Sequence, residues 1–465
     1  MRETELPSSR KSRVLRLAPS VAKKNARLLA RLDSDLPVTC LSGFSDLVNY
    51  APRADEPVHR WFPYREGYST RLVSGLIDSM PRNQRILDPF CGCGTTLIAG
   101  QKLGFGCDGL EVNPLSVLVT RVKTRHYSSS DRTQLERYKR HAENLAKSSP
   151  SLEPPALKII DRLFHSRILK TLLALRLFIE QIPNDKHREF LMTAWLSILE
   201  DVSNVYKEGN GIKYRNRKRT PAGYIPIPLE RWQASAFPGD KHEFVLSRFA
   251  KHLGLMIDDL RLLTRGGSAD VYNHSATEMD ILAPSSIGFC MFSPPYCNCF
   301  NYFKAFKVEL WMGGFVRTYH DIQELNRRAL RSHVETPLKR PADEIIELVE
   351  NFVELIDPDK LWDSRITHAI RGYFVDMFLV MRNLFRVLKG DARCVVVVGN
   401  SAYGGILIPT DSLLAAISRP LGFVVESIGV ARHLTTSSQQ KLVLEDRKAF
   451  LRESVVVLRK PKWTN

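Results

Sequence analysis

The sequence predicts an α/β fold, an open sheet with helices on both faces, interrupted by a largely helical insertion. Three observations lead there. Apolar Ile86 and Leu87 run into an acid, two alternating glycines, and then Thr95 and Thr96 at the head of another apolar stretch. That is the pattern of a strand, a tight loop and a helix start. A second short apolar run, residues 287–292, ends in Ser293, Pro294, Pro295 and Tyr296. Between the two lie roughly 200 residues, far more than one crossover connection needs, and much of that stretch has helical period.

Residues 1–35 read as a basic arm, since residues 1–31 hold nine Lys or Arg against two Glu. A mobile arm lying on phosphates and an organelle transit peptide both fit such a segment. The first part of the core spans 36–130. In it, Gly92 and Gly94 let the backbone turn sharply and approach a ligand where a Cβ would block it. Glu111, placed after the strand-like residues 105–110, stands where a second-strand acid accepts two hydrogen bonds from ribose hydroxyls, and Asn113 follows it. A dinucleotide-binding loop would look similar, but Leu97 occupies the place of its third glycine.

An inserted region, 131–272, follows. Leu163, Ile168, Leu172, Leu175 and Phe178, then Phe190, Ala194 and Ile198, recur at helical spacing and read as core packing. From Lys207 to Arg219 the chain carries six basic residues, one acid and glycines at 209 and 211, which reads as a loop on a nucleic-acid backbone or as a solvated basic surface. Lys207, Lys213, Arg217, Lys218 and Arg219 supply charge, while Asn210, Tyr214, Arg215 and Asn216 offer base-edge contacts. Residues 221–228, with three prolines, break regular structure, and a further helix is expected over about 244–263. The second part of the core, 273–465, contains the Ser-Pro-Pro-Tyr segment, a helical insertion at about 313–365, and strands near Cys394, Phe423 and Ser454.

The Ser-Pro-Pro-Tyr segment suits an amine donor. Two prolines fix φ and remove two N–H groups, so its carbonyls face a ligand without competing donors. The Ser293 hydroxyl and Pro294 carbonyl would accept from an exocyclic amine, and Tyr296 would stack on its ring. The bland reading is a turn that ends a strand.

Together these residues resemble the S-adenosylmethionine-dependent amino-methyltransferases of DNA, whose two motifs, Asp-Pro-Phe-x-Gly-x-Gly-Thr-Thr and Ser/Asn/Asp-Pro-Pro-Tyr, are matched in full. The resemblance extends to residues 61–70, to Asn301, Tyr302, Glu309, Leu310 and Trp311, and to the late strands, about 250 of the 465 residues. It implies a Rossmann-like methyltransferase sheet and S-adenosylmethionine as cofactor. Asp88, Pro89, Phe90, Gly92, Gly94, Thr95, Thr96, Glu111 and Asn113 would surround that cofactor, and Ser293 to Tyr296 would hold the target base. A recognition region between the two motifs corresponds to the alpha arrangement of the family. Two departures stand out. Asn273-His-Ser-Ala276 replaces a Gly-Asp-Ala-like adenine segment, with Asp280 either taking over the contact or lying in a surface loop. Asn298-Cys-Phe-Asn-Tyr302 replaces the usual pattern after the tetrapeptide.

Serine at the first tetrapeptide position is mostly found in cytosine-N4 enzymes of the family, although either base presents an aromatic amine and adenine-N6 stays open. Attack at carbon would need a cysteine nucleophile after proline, and the chain has no Pro-Cys. An RNA amino-methyltransferase and a nucleic-acid-binding protein that has lost catalysis are the other readings. Net charge of +17, from 67 Lys and Arg against 50 Asp and Glu, favours a polyanion, DNA or RNA, and the resemblance implies double-stranded DNA. A restriction endonuclease acting on the same site is a possible partner of such an enzyme.

The chain is 44% hydrophobic and 25% charged, with no membrane-span-like run. Its eight cysteines resemble no disulfide framework, which points to a reducing cytoplasm, and the resemblance implies a nucleoid-associated location in a bacterium or archaeon. Cys91 and Cys93, with Cys297 and Cys299, are spaced too closely for a usual zinc site, so no metal is expected. Cys40, Cys107, Cys290 and Cys394 read as packed thiols.

Overall fold

Short runs of β-branched and apolar residues become strands. In chain order they are β1 (Val38–Cys40), β2 (Arg85–Asp88), β3 (Gly106–Leu110), β4 (Val205–Glu208), β5 (Gly211–Tyr214), β6 (Arg217–Thr220) and β7 (Gly223–Pro226), followed by β8 (Ala269–Tyr272), β9 (Ile287–Phe292), β10 (Leu388–Gly399), β11 (Ser401–Tyr403), β12 (Ile406–Ile408), β13 (Val424–His433) and β14 (Arg452–Arg459). The structure, a computed structural model, describes residues 17–48, 56–64, 67–208, 211–220, 223–263, 266–336, 347–435 and 438–462. The chain divides into two compact units, one of residues 46–292 and 300–329, the other of 1–45, 293–299 and 330–465.

In the first unit β2 lies between β9 and β3, with β8 beyond β3, and every one of these pairs is parallel. Ile86 faces Phe289 and Leu87 faces Cys290. Helices Thr95–Lys102 and Pro114–Thr124 follow β2 and β3 in the chain, as a strand–helix–strand crossover requires. Because β2 and β9 run the same way side by side, both end at the carboxyl edge of the sheet, where open α/β folds take their ligands.

The insertion's periodic residues do pack: Leu163, Ile168, Leu172, Leu175, Phe190, Ala194 and Ile198 are buried. They share one core with Trp61, with Val119 and Val122 of helix Pro114–Thr124, and with Trp311. Residues 131–272 thus share their core with residues outside the insertion, above all with helix Pro114–Thr124. Asp259, at the end of helix Lys241–Asp259, is fully buried and accepts from the Val58 amide, the Trp61 indole at 2.8 Å and Arg60 Nε at 3.0 Å. That clamp ties residues 58–61 to the insertion.

Residues 207–219 are not one loop: they form the hairpin β4–β5 and enter a second, β6–β7. The stretch expected to lack regular structure, residues 221–228, contains β7. Alternation of Ile212, Lys213, Tyr214 and Arg215 is the strand period, and the density of basic side chains obscured it.

The second unit has strand order β1, β13, β14, β10, parallel only between β1 and β13. Its core is β-branched, with Val395 to Val398, Val455, Val456 and Leu458 nearly or fully buried. The sequence placed a basic arm over 1–35. Residues 1–16 lie outside the described residues, but Pro19–Ser34 is a helix whose Asn25, Leu29 and Leu32 are buried. Asn25 exchanges two 3.1 Å hydrogen bonds with Leu407 of β12, and Asp33 pairs with Arg452 of β14. Where a helical insertion is expected over about 313–365, the described residues form helix Tyr319–Arg328 in the first unit and Glu347–Val353 in the second, with residues 337–346 outside what is described; Tyr302–Ala305 and Lys307–Met312 come before this range and Ile366–Val387 after it. Among the described residues no helix is long and apolar enough to cross a membrane.

Candidate active site

The loop after β2 is shaped by its own acid. Asp88 is buried, and its carboxylate accepts from the Phe90 amide at 3.0 Å, the Thr96 hydroxyl at 2.6 Å and the Tyr68 hydroxyl at 3.2 Å. Burial pushes its pKa up to about 6 against the opposing pull of these donors. Asp88 and the fully buried Thr96 therefore act from within the loop, holding its curve. Pro89 is buried beneath it and Phe90 is half-buried, its ring 5.5 Å from that of Phe292. Gly94, the residue that opens helix Thr95–Lys102, has φ +90°, and a Cβ there would fall 2.8 Å from Thr120 Cγ2. Both the left-handed backbone and the contact demand glycine. Thr120 also fixes the loop by donating to the Gly92 carbonyl at 2.7 Å.

Glu111 stands just past the end of β3. One carboxylate oxygen accepts from the Gly92 amide at 3.1 Å and the other from the Asn113 amide at 2.8 Å. Each oxygen keeps a second lone pair, so the two ribose hydroxyls of a nucleoside can still be received. Asn113 caps helix Pro114–Thr124 with its side-chain oxygen, while its buried Nδ2 has no hydrogen-bond partner among the described residues. Asn273 donates from Nδ2 to the carbonyls of Glu111 and Val112 at 3.0 and 3.1 Å, so the segment that departs from the family pattern still borders Glu111. Asp280 is on the surface, paired with His274 at 2.7 Å.

Burial raises the Glu111 pKa to about 7, although the Asn113 and Gly92 amides pull it down. The protonated acid loses acceptor capacity, so cofactor affinity should strengthen as pH rises through about 7. Calorimetric titration between about pH 6 and about pH 8 should show that trend, and Glu111→Gln should bind weakly with a flat profile.

Ser293 follows Phe292 directly. In the second unit, Pro294 is buried and Ser293, Pro295 and Tyr296 are half-buried. The Tyr296 hydroxyl donates to Glu453 of β14, a carboxylate 3% exposed that also receives Arg432 of β13. The Tyr296 ring lies on β10, where a Cβ at Gly399 would come within 2.9 Å of its Cε2. The Tyr403 hydroxyl donates to the Cys297 carbonyl at 3.0 Å, so the residues after the tetrapeptide are held as well.

Sequence reading did not reach Tyr68, Thr120, Arg432 or Glu453 as contributors. Thr120 sits within an apolar helix and Glu453 heads an apolar strand, so neither has a neighbour in sequence that hints at its partner. Cys107, Cys290 and Cys394 are buried as expected, but Cys40 is exposed at the short edge strand β1. Among the described residues no three metal-ligating side chains gather.

The basic segment is divided in its roles. Lys207 is mostly buried, its ammonium held by Glu309 and by Glu200 at 3.1 Å, so it braces the base of the first hairpin rather than offering a charge to a phosphate. Lys213, Arg215, Arg217 and Lys218 are exposed and Tyr214 is half-buried. Arg217 lies over the Tyr214 ring at 5.4 Å. Asn216 is a brace too, bonded to Asn204 and to the Ile227 carbonyl. Asn210 and the Arg219 side chain lie outside what is described.

No family model matches the chain. It is similar to Type II methyltransferase M.AvaI of a Nostoc species, 28% identical, with 89% of each chain covered. It is also similar to Type II methyltransferase M.BsoBI of Geobacillus stearothermophilus, 26% identical over 89% of this chain and 88% of that one. For Type II methyltransferase M.MvaI of Kocuria varians the identity is 23%, over 78% and 81%. The glycine loop, the acid after β3 and these relatives make the chain similar to one class of protein, the S-adenosylmethionine-dependent methyltransferases of α/β fold. Within that class the chain's resemblance is to the DNA amino-methyltransferases. The residues present fit the cofactor, with Glu111 for the ribose, the unpartnered Asn113 Nδ2 as a donor, and a glycine loop that a side chain would fill.

Proposed function

We propose that the protein methylates the exocyclic N4 amine of cytosine at specific sites in double-stranded DNA. One observation supports this above the others. The two motif loops leave the carboxyl ends of adjacent parallel strands, β2 and β9. S-adenosylmethionine, when bound, supplies an electrophilic methyl group on a sulfonium sulfur. The Ser293 hydroxyl and Pro294 carbonyl accept the two N–H groups of the amine, which turns its lone pair out of ring conjugation. Tyr296 stacks on the base, which is extruded from the duplex at a cost of a few kcal/mol. Positioning is the main contribution, since the amine turns acidic as the new bond forms and needs no strong base beforehand. Serine in place of aspartate or asparagine favours cytosine. A restriction endonuclease for the same site is the partner that Type II relatives bring to mind.

The test is incubation with labelled S-adenosylmethionine and unmethylated DNA or total RNA, then digestion to nucleosides and mass spectrometry. N4-methyldeoxycytidine is the expected product. N6-methyldeoxyadenosine would overturn the base assignment and keep the class, whereas label in RNA alone would overturn the substrate. Ser293→Ala should lower kcat about tenfold, the value of one charge-developing hydrogen bond, with cofactor affinity unchanged by calorimetry.

A further inference from the structure

The hairpin β6–β7 is the most unusual surface of the first unit. Residues 209–229 contain no acid, and 211–219 hold five Lys or Arg. Its base is locked: the Ile227 amide donates to the Asn216 carbonyl at 2.8 Å, and Asn216 Nδ2 donates back to the Ile227 carbonyl at 2.9 Å. Beyond that lock both faces of β7 are exposed, with Tyr224 at 60% and Ile225 at 57%. Register sets Arg217 opposite Pro226, Lys218 opposite Ile225 and Arg219 opposite Tyr224. Each face therefore combines a basic position with an apolar one. A two-stranded ribbon covered on neither side gains little from burial, and apolar side chains rimmed by cations have a natural complement in a surface that is anionic outside and flat and apolar within. Duplex DNA is such a surface, and its major groove, about 12 Å wide, admits a two-stranded ribbon.

We propose that the ribbon of β6 and β7 enters the major groove of duplex DNA edge-on with β7 leading, so that Tyr224 and Ile225, on its two faces, meet base edges and thymine methyl groups while Arg217 and Lys218 on the trailing strand meet phosphates. This rests on DNA being the substrate. Tyr224 and Ile225 then determine sequence preference, while the cations supply affinity that is independent of sequence.

The methylated site is first read by sequencing DNA modified by the full-length protein, and duplexes with and without it are compared by fluorescence anisotropy across a salt series. The Tyr224→Ala/Ile225→Ala double variant should lose about tenfold or more of its discrimination between the two duplexes, with an unchanged salt slope. Lys218→Ala should keep discrimination and reduce the slope of log K against log salt by about one. Calorimetric S-adenosylmethionine binding at the wild-type level reports that each variant is folded. If the double variant discriminates like the wild type on DNA that the wild type methylates, the ribbon inference fails and the DNA reading stands. Wild-type protein that methylates only RNA would sink both.

Discussion

Asp88→Asn should weaken S-adenosylmethionine binding roughly ten- to a hundredfold while the protein remains folded by circular dichroism. Three donors converge on that carboxylate, from Phe90, Thr96 and Tyr68. An amide can accept with one atom only, so its NH2 group must face the Thr96 and Tyr68 hydroxyls, which have to turn from donors into acceptors and lose their charged acceptor. Hydrogen bonds to a charged group are worth about 1.5–3 kcal/mol against about 1 kcal/mol for neutral ones, so the exchange weakens the loop. The loop would relax, moving Gly92, whose amide meets Glu111. Since Asp88 is spent on the loop and not aimed outward, the defect should appear in cofactor affinity, measured by calorimetry, before it appears in turnover at saturating cofactor. A variant with wild-type affinity would remove Asp88 from the architecture described.

The second large effect is expected at Tyr296. Stacking of a base on an aromatic ring is worth about 1–3 kcal/mol, so Tyr296→Ala should lower kcat/KM for DNA by roughly ten- to a hundredfold with cofactor binding intact. Tyr296→Phe separates the ring from its tether. It keeps the stacking face, loses the hydrogen bond to Glu453, and should fall between the two. Glu453→Ala should be the more harmful to stability, because it removes a buried carboxylate that holds both the half-buried Arg432 and the Tyr296 hydroxyl, at a cost of about 1–3 kcal/mol. Thermal melts alongside single-turnover methylation distinguish these outcomes. Equal activity of Tyr296→Ala and wild type would refute the stacking role.

How far these features could be read from the sequence depended on range. The loop after β2 and the tetrapeptide after β9 were legible because their chemistry is local: glycine where φ turns positive, prolines where donors must be absent. The apolar strands β2, β3, β9, β10, β13 and β14 were legible for the same reason, whereas β1 and β8 were not. The hairpins were not, since period-two alternation of Ile212 and Tyr214 was hidden among lysines and arginines that read as a charged loop. Lys207 counted as one more surface cation until Glu309, about 100 residues away, proved to hold it. Helix Pro19–Ser34 was absorbed into a basic arm because its buried face, Asn25, Leu29 and Leu32, is narrow and begins with a polar residue. Long-range partners such as Glu453 for Tyr296 leave no local trace at all.

The pairing of β2 with β9 has a consequence for how the protein comes into being. Ile86 and Phe289 are neighbours in the sheet although about 200 residues of chain separate them. Contacts of such high sequence separation form late, after the helices between them have found their local partners. On the ribosome, the glycine loop must wait for the whole insertion to be synthesised before its neighbouring strand exists. Cofactor competence should therefore appear only once the chain has been synthesised through β9, and should be lost when the chain is truncated before that strand.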